Sequence, residues 1–229
     1  MTYDNLVTDK RLAETKGVAE QSNATDIVTP LTHPPAALEF LPTKLISLMQ
    51  HHESHPELSA SHFFDSLKPM HFPTEQLRNL LEIPIQTPYH RLVLYRSPLF
   101  EIVLARWQTA KPCAAHDHGG GWGWVKVLEG SILNFECRPF SSQPCSEFVL
   151  RQQTIESHDW LISHPRSIHY MAAESSFPSA LTLHFYRGAN SPMRIFDYTQ
   201  GISVLVTEDS GAWFPGGMPF STVPKELNQ

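Results

Sequence analysis

The apolar positions of this chain change their spacing twice. Residues 1 to about 35 are polar, carry no regular apolar period and run into Pro34 and Pro35. That stretch, 1–35, reads as an N-terminal extension. From Leu38 to about Leu81 the spacing becomes helical. Leu45, Leu48 and Met49 share one face after Pro42-Thr43, and Phe63, Phe64 and Leu67 share another. A third segment opens at Pro73-Thr74 and stops before Pro84, so three short helices are predicted. After Pro88 the period falls to two. RLVLYRS and LFEIVLARW pair around Ser97-Pro98, and WVKVLEGSILNFECRPF reads as strand, Glu-Gly turn, strand. EFVLRQQTIES, DWLISHP, SIHYMAA and ALTLHFYRG follow as short strands, with GISVLVT as an added edge strand. About eight strands with no helix alternating between them predict a mainly β fold, an antiparallel sandwich or barrel under a small helical cap. The domain is expected to span residues 36–207, followed by a Gly- and Pro-rich surface tail over 208–229. A barrel of this size has room for one small ligand.

Composition narrows the partners. The 229 residues are 41% hydrophobic and suit one globular domain. The net charge of -6 comes with no basic cluster, so nucleic acid is not an expected partner. The opening MTYDNLVTDKRLAETKGVAEQ holds no apolar run, so neither a signal peptide nor a membrane anchor is expected there, and a cytoplasmic location is. Cys113, Cys137 and Cys145 are odd in number and irregularly spaced, which suits reduced thiols. A monomer or small homo-oligomer is expected.

The chain has 13 histidines, and imidazole is the commonest metal ligand. A single histidine in a strand is far more often packed or solvent-facing than a ligand. His116 and His118 differ, because residues two apart in a strand project from one face. His169 follows in PRSIHYM, four residues after Pro165. No carboxylate stands just after the pair: Trp122 and Gly123 occupy those places, and Glu129 lies beyond them. A site of three neutral imidazoles keeps the full charge of a bound cation and so favours an anionic, metal-binding substrate such as a thiolate. The same ligands would also suit zinc or nickel.

Four segments in order, YHR (Tyr89 to Arg91), HDHGGGWG, SIHYM and LTLHFYRG, resemble the cysteine dioxygenase (thiol dioxygenase) branch of the cupin superfamily. The resemblance covers roughly Leu38 to Thr207. It implies a cupin barrel, the jelly-roll-like double-stranded β-helix. It further implies one Fe(II) per chain held by His116, His118 and His169, and a substrate carboxylate bound by Arg91 beside Tyr89. Tyr186 would act near the reacting sulfur and oxygen, with His184 and Thr182 behind it. The implied reaction converts L-cysteine and O2 to cysteine sulfinate, the thiol held through thiolate and amine. Relatives acting on 3-mercaptopropionate typically carry Gln at the position of Arg91. Animal members cross-link the tyrosine to a cysteine where this chain has Gly123, as bacterial members commonly do, so an unmodified Tyr186 is expected; Cys113 is not taken as a substitute. Dioxygenation of another small carboxylate thiol, a non-redox metal-dependent reaction and a non-catalytic binding role are the competing readings. Trp107, Trp122 and Trp124 are candidates for the cavity wall or for ordinary packing.

Overall fold

The computed structural model of the chain describes residues 35–84, 87–189, 192–206 and 210–213. Residues 1–34 of the predicted extension, and 208, 209 and 214–229 of the predicted tail, lie outside the described residues. A 3-10 turn over Pro35–Phe40 precedes three helices, α1 Thr43–Ser54, α2 Ala60–Leu67 and α3 Thr74–Arg78. Ser59 caps α2, its hydroxyl accepting the His62 N–H at 3.1 Å. Helix α3 is shorter than its sequence pattern predicts. The chain past it turns through i→i+3 hydrogen bonds at Leu80 and Leu81, and the Leu81 carbonyl accepts from the Arg106 guanidinium at 2.9 Å. An outside donor thus serves a carbonyl that further helix would have had to satisfy.

The strands are β1 Tyr89–Arg96, β2 Phe100–Gln108, β3 Ala115–His116, β4 Trp122–Glu129, β5 Ile132–Cys137, β6 Val149–Ile155, β7 Trp160–Ser163, β8 Ile168–Ala173, β9 Ser179–Arg187, β10 Arg194–Asp197 and β11 Ile202–Leu205. They form two antiparallel sheets, ordered β1-β2-β9-β4-β7 and β11-β10-β3-β8-β5-β6. This is the mainly β, antiparallel architecture that the strand spacing predicts, in the double-stranded β-helix form that the resemblance implies. β10 is absent from the sequence reading, and of the strand placed on the H-x-H pair only Ala115–His116 forms, as β3.

Alternation along each strand decides what faces inward. In the first sheet, Arg91, Val103, Ala105, Trp107, Gly123 and Val125 share their face with Thr182, His184 and Tyr186 through the paired registers. In the second, Ile132, Asn134 and Glu136 lie opposite Ala173, Met171 and His169. The opposite face of the first sheet carries Leu92, Leu94, Ile102, Leu104, Leu183 and Phe185. These form a second core with Leu45, Met49, Phe63 and Leu67 of the helices. The helical cap therefore covers the outside of the barrel, and the inside is left for the site.

Candidate metal centre

His116 ends β3, where it pairs with His169 of β8 and Ile195 of β10. His118 does not lie in a strand. After His116 the chain leaves the sheet and turns at Gly119 and Gly120, with φ of 59° and 84°, a region that side chains with a Cβ adopt reluctantly. Asp117 holds this turn, its Oδ1 accepting the backbone N–H groups of Gly119 at 3.2 Å and Arg194 at 2.9 Å. The pleat argument for two histidines on one strand face is therefore corrected: His118 comes round to His116 through a glycine turn.

The three imidazoles nevertheless converge. One ligating nitrogen from each of His116, His118 and His169 lies within 4.8 Å of the others, and all three residues are buried. A carbonyl can only accept, so the 2.8 Å contact of His116 Nδ1 with the Ala114 oxygen places the proton on Nδ1. Asn134 Oδ1 does the same for His169 Nδ1 at 2.6 Å. Each bond leaves Nε2 with its lone pair. Among the described residues His118 Nδ1 has no hydrogen-bond partner, and its Nε2 stands 3.1 Å from His169 Nε2. Burial, reinforced at His118 and His169 by the neighbouring imidazoles, pushes all three below the usual histidine range, so they are neutral near pH 7. A His118 proton on Nε2 is donated to the His169 Nε2 lone pair, and with that proton on Nδ1 both Nε2 atoms offer lone pairs to a cation. The donor set fits one divalent metal ion bound by three nitrogens on one side. Among the described residues no carboxylate joins it; Glu129 accepts from Arg78 Nε at 2.6 Å.

Behind the centre runs a hydrogen-bonded row. Trp107 Nε1 donates to Thr182 Oγ1 at 2.7 Å, which meets His184 Nε2 at 2.8 Å, and His184 Nδ1 meets the Tyr186 hydroxyl at 3.0 Å. Thr182, His184 and Tyr186 are brought together as their alternate positions in β9 predict. The Tyr186 ring lies 5.2 Å from that of His118. Burial lowers His184 to about 3, with neighbouring His116 and the Arg91 guanidinium acting in the same direction, and raises the Tyr186 phenol above its ordinary value. Both are thus neutral at physiological pH. Gly123 pairs directly with Tyr186 across β4 and β9. A Cβ there would come within 3.3 Å of His118 Cε1.

A cavity of about 520 Å³, lined among others by Arg91, Glu101, His116, His118, His184 and Tyr186, opens from the centre. That volume is in the range of small-molecule sites. Arg91 Nη1 donates to the Ser210 carbonyl at 2.6 Å, and Nη2 stands 3.5 Å from Glu101. The Tyr89 hydroxyl accepts the Ala212 N–H at 2.8 Å, and its ring packs on Trp107 with centroids 4.4 Å apart. The tail is therefore not only a surface strap: Ser210 and Ala212 reach into the wall of the site. Trp107 faces inward, but Trp122 and Trp124 belong to the core beneath the helices. Trp124 packs against Phe63 at 5.3 Å. Their positions have the parity of the outer face, so they do not wall the cavity. Cys113 is buried with its thiol pushed up to about 12; its Sγ accepts the Met171 N–H and lies 3.9 Å from His116 Nδ1. Asn134, Arg96 and Glu101 went unnoticed in the sequence. The Asn134–His169 contact joins positions 35 apart, and no short motif carries it.

No family model matches the chain. Solved structures similar to it are double-stranded β-helix and cupin proteins. An uncharacterized conserved protein with a double-stranded β-helix domain from Klebsiella pneumoniae is 14% identical, with TM-score 0.42, over 51% of this chain and 90% of that one. A cupin superfamily protein from Desulfitobacterium hafniense is 15% identical, with TM-score 0.37, over 48% and 84%. An oxalate oxidase is 9% identical, with TM-score 0.40, over 49% and 56%. Fold and site together define a double-stranded β-helix barrel whose buried histidine triad could hold a metal ion. Among the described residues no helix is long and apolar enough to cross a membrane.

Proposed function

We propose that the protein is an Fe(II)-dependent thiol dioxygenase that converts L-cysteine and O2 to cysteine sulfinate. The observation that carries this reading is a three-histidine group with no carboxylate among its ligands, opening through His116 and His118 onto a cavity that Arg91, His184 and Tyr186 also line, with Thr182 bonded behind His184. Ferrous iron on His116, His118 and His169 would supply the redox chemistry with O2 that imidazole and phenol lack. Arg91 suits a substrate carboxylate, because its planar fork matches two oxygens and stays charged when mostly buried. Tyr186 keeps its proton at neutral pH, since burial raises its phenol, and its hydroxyl donates to an oxygen or sulfur beside His118. His184, held neutral between Thr182 and Tyr186, fixes that hydroxyl's direction. The buried walls exclude water and orient the thiol. The balance is simple: the thiol gains both atoms of one O2, sulfur is oxidised, and no other reductant is needed.

Anaerobic loading with Fe(II), followed by O2 uptake across a thiol panel with product masses, tests this. The expected result is one O2 consumed per L-cysteine and a product heavier by two oxygens. No O2 uptake with any thiol overturns the proposal; uptake only with 3-mercaptopropionate or another mercapto-acid moves it to that substrate. Zinc in the purified protein, with no oxygen consumption, would point to a non-redox reaction.

A further inference from the structure

Strand β1 is irregular. Up to Val93 its residues Tyr89, Arg91 and Val93 pair with Trp107, Ala105 and Val103 of β2 and face inward. The register then slips between Val93 and Tyr95. Beyond the slip Tyr95 pairs with Ile102 on the helical side, where its hydroxyl donates to Glu53 at 3.0 Å. Arg96 instead pairs with Glu101, and both line the cavity. A bulge of this kind re-aims side chains and is common beside active sites. Here it sets Arg91, Glu101 and Arg96 along one wall.

Glu101 is held by one oxygen. Its Oε1 accepts from Arg96 Nε at 2.9 Å and from Arg96 Nη2, and lies 3.5 Å from Arg91 Nη2. Among the described residues nothing donates to its Oε2. In the pairing of β2 with β9, Glu101 sits directly opposite Tyr186. The carboxylate therefore stands between the guanidinium of Arg91 and the tyrosine beside His118. We infer that Glu101 recognises the amine of an α-amino thiol. Arg91 and Glu101 then match the two ends of an amino-acid head group, the substrate carboxylate on Arg91 and an amine N–H on Glu101 Oε2, while Arg96 keeps the Glu101 carboxylate in place. A mercapto-acid without the amine leaves Oε2 unpaired. A site built to bond a polar group rejects the analogue that lacks it. This names the substrate class of the dioxygenase reading and rests on that reading.

The test compares iron-loaded wild type, Glu101→Gln and Glu101→Asp on L-cysteine and 3-mercaptopropionate, which differ by the amine. Gln keeps an acceptor for Arg96 and removes the charge; Asp keeps the charge. Wild type is expected to prefer L-cysteine in kcat/KM. Glu101→Gln should lose roughly tenfold on L-cysteine, the difference between a charge-assisted and a neutral hydrogen bond. It should lose nothing on 3-mercaptopropionate, and Glu101→Asp should retain the preference. Equal losses on both thiols in Glu101→Gln, or an unchanged ratio, overturn the inference while leaving the dioxygenase intact. If wild type oxidises no thiol, the dioxygenase reading fails by itself. Calorimetric binding of the same two thiols to the iron-free proteins then decides on Glu101: selective loss of L-cysteine affinity in Glu101→Gln supports it, and an unchanged ratio sinks it.

Discussion

Asn134 shows how much one unremarked residue contributes to the centre. It is an amide buried on an inward-facing strand position, and its oxygen takes the His169 Nδ1 proton at 2.6 Å. That bond selects the tautomer whose Nε2 is free to bind metal. Asn134→Leu leaves a buried N–H without an acceptor and the ring without an orientation. Metal affinity is expected to fall roughly 10–100-fold, measured by competition with a chromophoric chelator; Asn134→Asp, which still accepts, should retain binding. The histidines themselves could be read along the chain because residue type and the H-x-H spacing advertise them. Asn134 could not, since its role depends on the register of β5 against β8. The same holds for Gly123: its nearness to Tyr186 is a cross-strand fact.

Among the elements, β1 and the segment 210–213 meet at the wall of the cavity, which Tyr89, Arg91, Arg96 and Ser210 line. Ser210 and Ala212 are bound to Arg91, Tyr89 and Ala114, the last through its N–H to the Ala212 carbonyl at 2.7 Å. Ala212 is buried and packs with the barrel core. Tyr89→Phe would leave the buried Ala212 N–H unsatisfied, a loss of about 1–3 kcal/mol. Chemical denaturation should show that loss, and proteolysis near Ser210 should speed up. The Gly and Pro content of this stretch suggested only an irregular path along the surface. Its hydrogen bonds to β1 link residues more than a hundred positions apart, a distance over which local pattern says nothing. The slip in β1 is equally illegible, because strict alternation would have sent Tyr95 inward in place of Arg96.

At the scale of the whole molecule, the first sheet has two occupied faces, the site on one and the helices on the other. His52 of α1 is buried between them, with Nε2 3.2 Å from His62 Nδ1 of α2 and its ring edge-on to Phe63 and Phe100. Arg187 lies on the same side, bonding the Pro56 and Leu58 carbonyls between α1 and α2. Burial first, then the charges of Arg187, His62, His51 and His55, lower His52 to about 4. A lowered imidazole is neutral in the folded protein while the unfolded chain takes up a proton, so its contribution is intact above about pH 6.5. It is lost progressively as pH falls toward 4. The loss at the bottom of that window is on the order of 3 kcal/mol for His52. Thermal unfolding between pH 7 and 4 should show a falling Tm, and His52→Gln, which cannot titrate, should flatten that slope. An unchanged slope would mean that His52 is not part of the acid response.

Fold class, the helical cap and the three histidines that could hold a metal ion were legible from the chain alone. They depend on properties local to a few residues: the apolar period that separates helix from strand, the proline and glycine breaks, and the rarity of paired histidines. The interior decided the rest. Inward or outward orientation of Trp122 and Trp124, the route by which His118 joins His116, the Asn134 bond and the Arg91–Glu101–Arg96 wall all follow from sheet register and one bulge. A shift of a single residue exchanges the two faces of a strand, so these features exist only once the strands are paired.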